Sequence, residues 1–137
     1  MKGYAYSGGG RRVTRVEVSV DDGKTWTLAN ITYPEDQFRS VVHADPIYGR
    51  LDADDDSCFC WCFWYFEVPL AELNDCEVIS VRCMDESLGL QPRDMYWNAT
   101  GMMNNWYVLV VNPPWRMSDW SFVIQVVQSL RPQARGG

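Results

Sequence analysis

Three cysteines spaced two apart, Cys58, Cys60 and Cys62, are the first residues of this chain whose type and spacing suggest chemistry. A zinc site would use thiolates, but structural zinc sites are built from C-x2-4-C pairs and four ligands, and no second cluster of Cys or His answers this series. Nucleophilic catalysis would need a cationic neighbour to hold the thiolate and a base beside it. The flanking residues are aromatic instead: Phe59, Trp61, Phe63 and Trp64. Asp52, Asp54 and Asp56 imitate the first ligands of an EF-hand loop, yet Ser57 stands where that loop needs glycine and Phe63 where it needs its bidentate glutamate. His43 is the one histidine, and no partner in the sequence makes it a base or a ligand. Gly8-Gly9-Gly10 lacks the Gly-Lys-Ser/Thr ending of a phosphate loop and reads as a tight turn. The expectation is a chain that holds no metal and has no catalytic residue of its own.

The elements around these residues read as strands. Ten of the eleven residues from Cys58 to Val68 are apolar or aromatic, which predicts a buried strand bounded by the acidic run before it and Pro69 after it. Period two puts Cys58, Cys60, Cys62, Trp64, Phe66 and Val68 on one face and Phe59, Trp61, Phe63, Tyr65 and Glu67 on the other. Both faces are apolar, so one covers the domain's core and the other asks for a partner surface. Val13 to Val20 alternates cleanly, Asp21-Asp22-Gly23-Lys24 supplies a hairpin turn, and Trp26 to Tyr33 is its return strand. Pro34 to Ser57 reads as a polar, turn-rich loop. Pro69 to Leu73 is a turn or short helical bend, Glu77 to Met84 a strand with Ile79, Val81 and Cys83 inward and Ser80 and Arg82 outward, and Trp106 to Val111 a last apolar strand. Short strands separated by turns predict an all-β, immunoglobulin-like sandwich of about seven strands. In the tail, Trp120, Val123, Ile124 and Val127 fit a short C-terminal helix capped by Ser118 or Asp119.

With 137 residues the chain is long enough for one domain with a real core. A net charge of −6 argues against nucleic acid, whose phosphates call for a basic face; Arg11, Arg12 and Arg15 do not make one. The apolar run at 58–68 falls well short of the roughly 20 residues needed to cross a bilayer as a helix, so no membrane partner is expected. An odd number of cysteines, three on one strand face, predicts reduced thiols and a cytoplasmic protein, and no leader of the signal-peptide kind is seen. The opening M-K-G-Y reads as the start of a piece of something longer.

Four stretches, in order, carry a resemblance. They are G-Y-A-Y-S-G-G-G-R-R-V-T-R-V-E-V-S-V-D-D-G-K-T-W from Gly3 to Trp26, C-W-C-F-W from Cys60 to Trp64, D-E-S-L-G-L-Q-P from Asp85 to Pro92, and W-N-A-T-G-M-M-N-N from Trp97 to Asn105. Together they resemble the dimerisation domain of eukaryotic molybdenum-cofactor oxidoreductases, in the assimilatory nitrate reductase branch rather than that of sulfite oxidase. The resemblance implies a sandwich that follows the molybdopterin-binding catalytic domain of the same polypeptide and pairs two subunits into a homodimer. It places the molybdenum-ligating cysteine in that other domain, so none of the five cysteines here is assigned to it. Molybdenum-molybdopterin is then a cofactor of the full-length enzyme, with haem and FAD domains further downstream, and none is bound by this chain alone.

The resemblance also implies one contact with the chemistry. In sulfite oxidases the stretch matching Trp97 to Asn105 reads W-N-x-R-G, and its arginine reaches the oxyanion pocket. Thr100 holds that position here, followed by Gly101 and Met102. A guanidinium grips a dianion bidentately, whereas a hydroxyl and a thioether leave a less positive funnel suited to a monoanion. Thr100 and Met102 are thus expected in the substrate funnel, or else only in the packing between domains. Phe59, Trp61, Phe63, Tyr65, Asn104 and Asn105 are the expected interface residues. Residues 1–112 form the expected domain and 113–137 a tail that departs from the family pattern, as an amphipathic helix or as the end of a truncated reading frame. The alternatives to a nitrate reductase domain are a free-standing immunoglobulin-like binding module and the dimerisation domain of a sulfite oxidase-like enzyme.

Overall fold

The computed structural model of the chain describes residues 1–39, 43–51, 58, 61–74, 76–94, 104–110 and 123–128. Its strands are β1 (Lys2–Ser7), β2 (Val13–Ser19), β3 (Thr27–Leu28), β4 (Asn30–Thr32), β5 (His43–Asp45), β6 (Gly49–Leu51), β7 (Cys62–Tyr65), β8 (Val78–Asp85), β9 (Tyr107–Val110) and β10 (Val123–Gln128), with two one-turn helices, α1 (Glu35–Arg39) and α2 (Leu70–Asn74). Sheet A runs β10-β1-β7-β4 and sheet B runs β3-β2-β8-β9, while β5 and β6 pair as a separate hairpin. All pairings are antiparallel except β10 on β1.

Period-two patterning builds the two sheets. In β1, Gly3, Ala5 and Ser7 turn inward and are buried while Tyr4 and Tyr6 stand on the other face. In β7, Cys62 and Trp64 are buried and Phe63 and Tyr65 exposed. These inner faces meet Val16 and Val18 of β2 and Ile79, Val81 and Cys83 of β8, which are buried in one core cluster. Burying one such aliphatic side chain contributes about 1.5–3 kcal/mol. The domain is therefore an all-β sandwich whose core lies between sheets A and B.

Several expectations are corrected. The turn expected at Gly8 to Gly10 is present, with Gly9 and Gly10 at φ 71° and 73°, but the residues before it form a strand, β1, that was not expected. The return strand of the first hairpin is split. β3 pairs with β2, the Ala29 amide donates to the Val16 carbonyl at 2.9 Å, and the chain then crosses to sheet A, where β4 sets Ile31 opposite Trp64. A single straight strand would have left Ile31 outside the core it packs against. The region after Pro34 contains α1 and the β5–β6 hairpin, so it is not one long loop. Among the described residues of the expected central strand, regular strand is found over Cys62–Tyr65. Ser80 faces outward as expected yet is fully buried, on the face where Trp26, Arg82 and Trp106 pack together.

The expected C-terminal helix is a strand instead. Lys2 to Ser7 register with Val123 to Gln128 in parallel, and the segment V-I-Q-V-V-Q is rich in β-branched residues that fit a pleated surface. A six-residue helix is marginal alone, whereas the free edge of β1 offers it a row of backbone partners. Strand count rises from about seven to ten, eight of them in sheets A and B.

Candidate functional site

The outer face of sheet A is aromatic and uncovered among the described residues. Trp61, Phe63 and Tyr65 are 47%, 53% and 48% exposed. Trp61 lies flat on Tyr4 and near Tyr6, with ring centroids 4.6 and 5.7 Å apart and planes within 13° and 16° of parallel. This stack exists because β1 and β7 are neighbours in antiparallel register, Tyr4 opposite Phe63. A groove of about 380 Å³ opens on the same face, lined by Lys2, Gly3, Tyr4, Thr32, Phe63, Trp64 and Tyr65. Phe59 lies outside the described residues. The tyrosines were missed by sequence reasoning, although K-G-Y-A-Y-S already alternates large and small side chains.

The outer face of sheet B carries a different cluster, which binds the 104–106 segment down. Trp26 and Trp106 meet edge-on at 4.7 Å. The Arg82 guanidinium stacks on Trp26 at 3.9 Å and ion-pairs with Glu17 at 2.6 Å. Trp106 donates its indole N–H to the Gln91 carbonyl at 2.9 Å, the Gln91 side chain accepts from the Cys83 amide at 2.9 Å, and its amide donates to the Asn105 carbonyl at 3.1 Å. Arg93 reaches Asp22 across the hairpin turn at 3.1 Å. Asn104, expected at an interface, is buried within the chain at 7% exposure, and Asn105 is half-buried with its side-chain amide donating to the Trp106 carbonyl. Thr100 and Met102 lie outside the described residues.

Asp85 ties this loop to the opposite sheet. Its carboxylate is 1% exposed and accepts from Ser7 Oγ and Arg11 Nε at 2.9 Å each, and from Ser87 N, Ser87 Oγ and Gly89 N at 3.0, 2.6 and 3.1 Å. Burial pushes this carboxyl up, but the hydrogen bonds from Ser87, Ser7, Gly89 and Arg11 outweigh it and hold it below the usual carboxylate range. The first, third and fourth sequence stretches singled out above meet around Asp85 and Gln91, and the second pairs with the first through β1 and β7. Ser7, Arg11, Gly23 and Trp26 come from the first, Trp61 to Trp64 from the second, Asp85 and Gln91 from the third, Asn104 and Asn105 from the fourth.

Residues 1–113 match the family described as the Mo-co oxidoreductase dimerisation domain. The chain belongs to that family. The dimerisation domain of this chain is 54% identical over 115 residues to a nitrate reductase [NADPH] of Neurospora crassa, which covers 82% of this chain and 12% of that protein. It is 55% identical over 115 residues to that of Fusarium oxysporum, covering 82% and 13%, and 53% identical over 113 residues to that of Aspergillus niger, covering 81% and 13%. This chain thus spans about an eighth of the length of these relatives. Among solved structures, the sulfane dehydrogenase SoxCD from Paracoccus pantotrophus is similar at TM-score 0.34 and 24% identity, over 61% of this chain and 15% of that one, too low to decide the fold.

The described thiols Cys62 and Cys83 of this dimerisation domain do not fit a molybdenum ligand set. Burial pushes the Cys62 thiol up to about 11, and that of Cys83 higher still, so both stay protonated; Cys62 Sγ donates to the Ala5 carbonyl at 3.3 Å. Cys60 lies outside the described residues, as do Asp52, Asp54 and Asp56, and His43 sits in β5. Among the described residues no group of three or more His, Cys, Asp or Glu is placed to hold a metal ion. No described helix is long and apolar enough to cross a membrane. One consequence is measurable: iodoacetamide at pH 8 is expected to leave Cys62 and Cys83 of the native chain unmodified and to label them after unfolding. Labelling of either at the unfolded rate would contradict the burial described here.

Proposed function

We propose that this chain is the dimerisation domain of a molybdenum-dependent, NADPH-linked nitrate reductase, that it pairs two subunits of that cytoplasmic enzyme, and that it closes one wall of the substrate funnel of the adjacent molybdopterin domain. The observation that carries the reading is the 54% identity to the Neurospora crassa enzyme over 115 residues, beside a family match over residues 1–113 that includes the residues around Asp85. The domain's own contribution is positional. It binds no cofactor itself and offers Thr100 and Met102, neutral side chains, where a guanidinium would favour a dianion. Anchors on both sides support this role: Arg93 is tied to Asp22, and Trp106 to Gln91, so the residues between them start and end on sheet B. Molybdenum-molybdopterin would supply the redox chemistry from the neighbouring domain.

The test is a chimera in which residues 1–113 replace the matching segment of the Neurospora crassa enzyme. Retained NADPH-dependent nitrate reduction is the expected result, and a soluble, cofactor-loaded but inactive chimera would overturn the reading. In the same chimera Thr100→Arg is expected to change the KM for nitrate by about tenfold, the size of one charged contact. Unchanged nitrate kinetics would remove Thr100 from the funnel and leave it as packing.

A further inference from the structure

We propose that Thr14 is a phosphorylation site, modified by a Ser/Thr kinase that reads arginines ahead of its acceptor, and that Arg15 and Arg12 hold the phosphate once it is in place. β2 is irregular at this point. Strict alternation back from Val16 would turn Thr14 inward and Val13 outward. Instead Val13 is buried and Thr14 exposed, because the register with β8 shifts between Val13 and Arg15. Such a bulge sets two residues against one. Thr14 Oγ1 donates to the Met84 carbonyl at 3.3 Å, and Arg15 Nη2 reaches Met84 Sδ at 3.5 Å. A hydroxyl and a guanidinium therefore sit together over one residue, and the hydroxyl bond, long for O–H···O, holds its donor weakly.

Arg11-Arg12-Val13-Thr14 places arginines three and two residues before the hydroxyl, a charge pattern that an acidic kinase pocket selects. Arg11 is held by the buried Asp85, so Arg12 carries the recognition. Its ion pair with Asp36 is solvent-exposed, and exposed pairs yield easily. Access is built in as well. β3 and Ala29 bond to β2 from Val16 to Val18, so among the described residues Val13 to Arg15 are laddered to β8 alone. Arg11 and Arg12 precede the strand, and opening a strand end takes far less than global unfolding. Transfer moves the γ-phosphoryl group of ATP to Thr14 Oγ1: the bond to ADP breaks, the new O–P bond forms, and ADP and the hydroxyl proton leave. The product brings nearly two negative charges and three acceptor oxygens. Arg15 turns to it without stranding its present partner, because Glu17 keeps Arg82 at 2.6 Å. Arg12 Nε, buried and without a hydrogen-bond partner among the described residues, supplies a further donor.

The test combines the full chain, ATP and the catalytic subunit of cAMP-dependent protein kinase, with the phosphate mapped by mass spectrometry. Incorporation is expected at Thr14, absent in Thr14→Val and about tenfold slower in Arg12→Ala, the size of one charged contact. A peptide of residues 8–18 calibrates access. The folded chain should react at more than about a thousandth of the peptide's rate, the ceiling that global unfolding would set. A slower reaction, a phosphate placed elsewhere, or none on chain and peptide alike would overturn the site. Phosphorus NMR of the phosphorylated chain checks the cradle without relying on rates. The second pKa of the phosphate, about 6 when exposed, should fall in the folded chain and rise again in Arg15→Gln, since neighbouring cations favour the dianion. A value equal to that of the phosphopeptide would take Arg15 and Arg12 out of contact with the phosphate and overturn their part.

Discussion

Replacing Asp85 by asparagine is expected to cost about 3 kcal/mol of folding stability, a fall in Tm of roughly 10 °C. The two oxygens of this buried carboxylate divide five donors between them: one takes Ser7 and Arg11, the other takes Ser87 twice and the Gly89 amide. Asparagine keeps the shape but replaces one oxygen by an NH2 group. Turned toward the loop, the NH2 would face the Gly89 amide; turned toward the strand, it faces Arg11, which has no acceptor to offer. Ser7 can rotate its hydroxyl, but Arg11 is left uncompensated. Urea unfolding of Asp85→Asn, Arg11→Met and the double variant measures this, and the double is expected to lose less than the sum of the singles. A loss below about 1 kcal/mol in Asp85→Asn would contradict this account.

The same carboxylate sets an acid limit. Its pKa in the folded chain lies below the ordinary value, so its contribution is complete above the unfolded carboxylate range near pH 4 and is lost as pH falls from there through the folded pKa. Stability of Asp85→Asn should therefore fall less steeply than wild type below about pH 4. Parallel slopes would show that the carboxylate is not the group being titrated.

The second large effect is expected at Gly23. Its φ of +81° costs an L-residue about 1–2 kcal/mol. A Cβ there would also lie 2.7 Å from Trp106 Cζ3 and 3.0 Å from Cη2. The indole is not free to yield, since it is held edge-on against Trp26 and bonded to the Gln91 carbonyl. Gly23→Ala should lose about 3 kcal/mol together with the near-UV circular dichroism of the Trp26–Trp106 pair. Gly23→Asn separates the two causes, because asparagine tolerates positive φ but still carries the Cβ. Recovery of wild-type stability in Gly23→Asn would rule out the clash.

How far the sequence revealed this domain depends on the scale of the interaction. Alternation in β2 and β8 and the turn at Asp21 to Lys24 are local, and they were readable residue by residue. The two faces of β7 were readable for the same reason, which is why Trp61, Phe63 and Tyr65 stand together on the exposed side. What failed involved competition between distant partners. Nothing near Thr27 to Tyr33 says that the chain changes sheets after Ala29, because the reason is Trp64, which packs over Ile31 from far along the chain. Val123 to Gln128 satisfies helical and strand spacing alike, and only the vacant edge of β1 decides between them. Within the site, Asp85 belonged to a recognisable stretch, yet its partners Ser7 and Arg11 lie more than seventy residues earlier. No spacing rule connects them.

The parallel pairing of β10 with β1 has a consequence for the order in which the molecule assembles. Lys2 meets Val123 and Ser7 meets Gln128, so the edge of sheet A is closed by residues far later in the sequence than the strand they join. The β2–β3 turn can close within microseconds of emerging, but this pairing must wait for residues 123–128 and then for a long loop to close, which slows it. Until then β1 carries an open edge beside the aromatic face, the nascent chain's most adhesive surface. A version ending at residue 113, where the family match stops, would keep that edge open permanently. It should aggregate more readily than the full chain even where its sandwich core is intact.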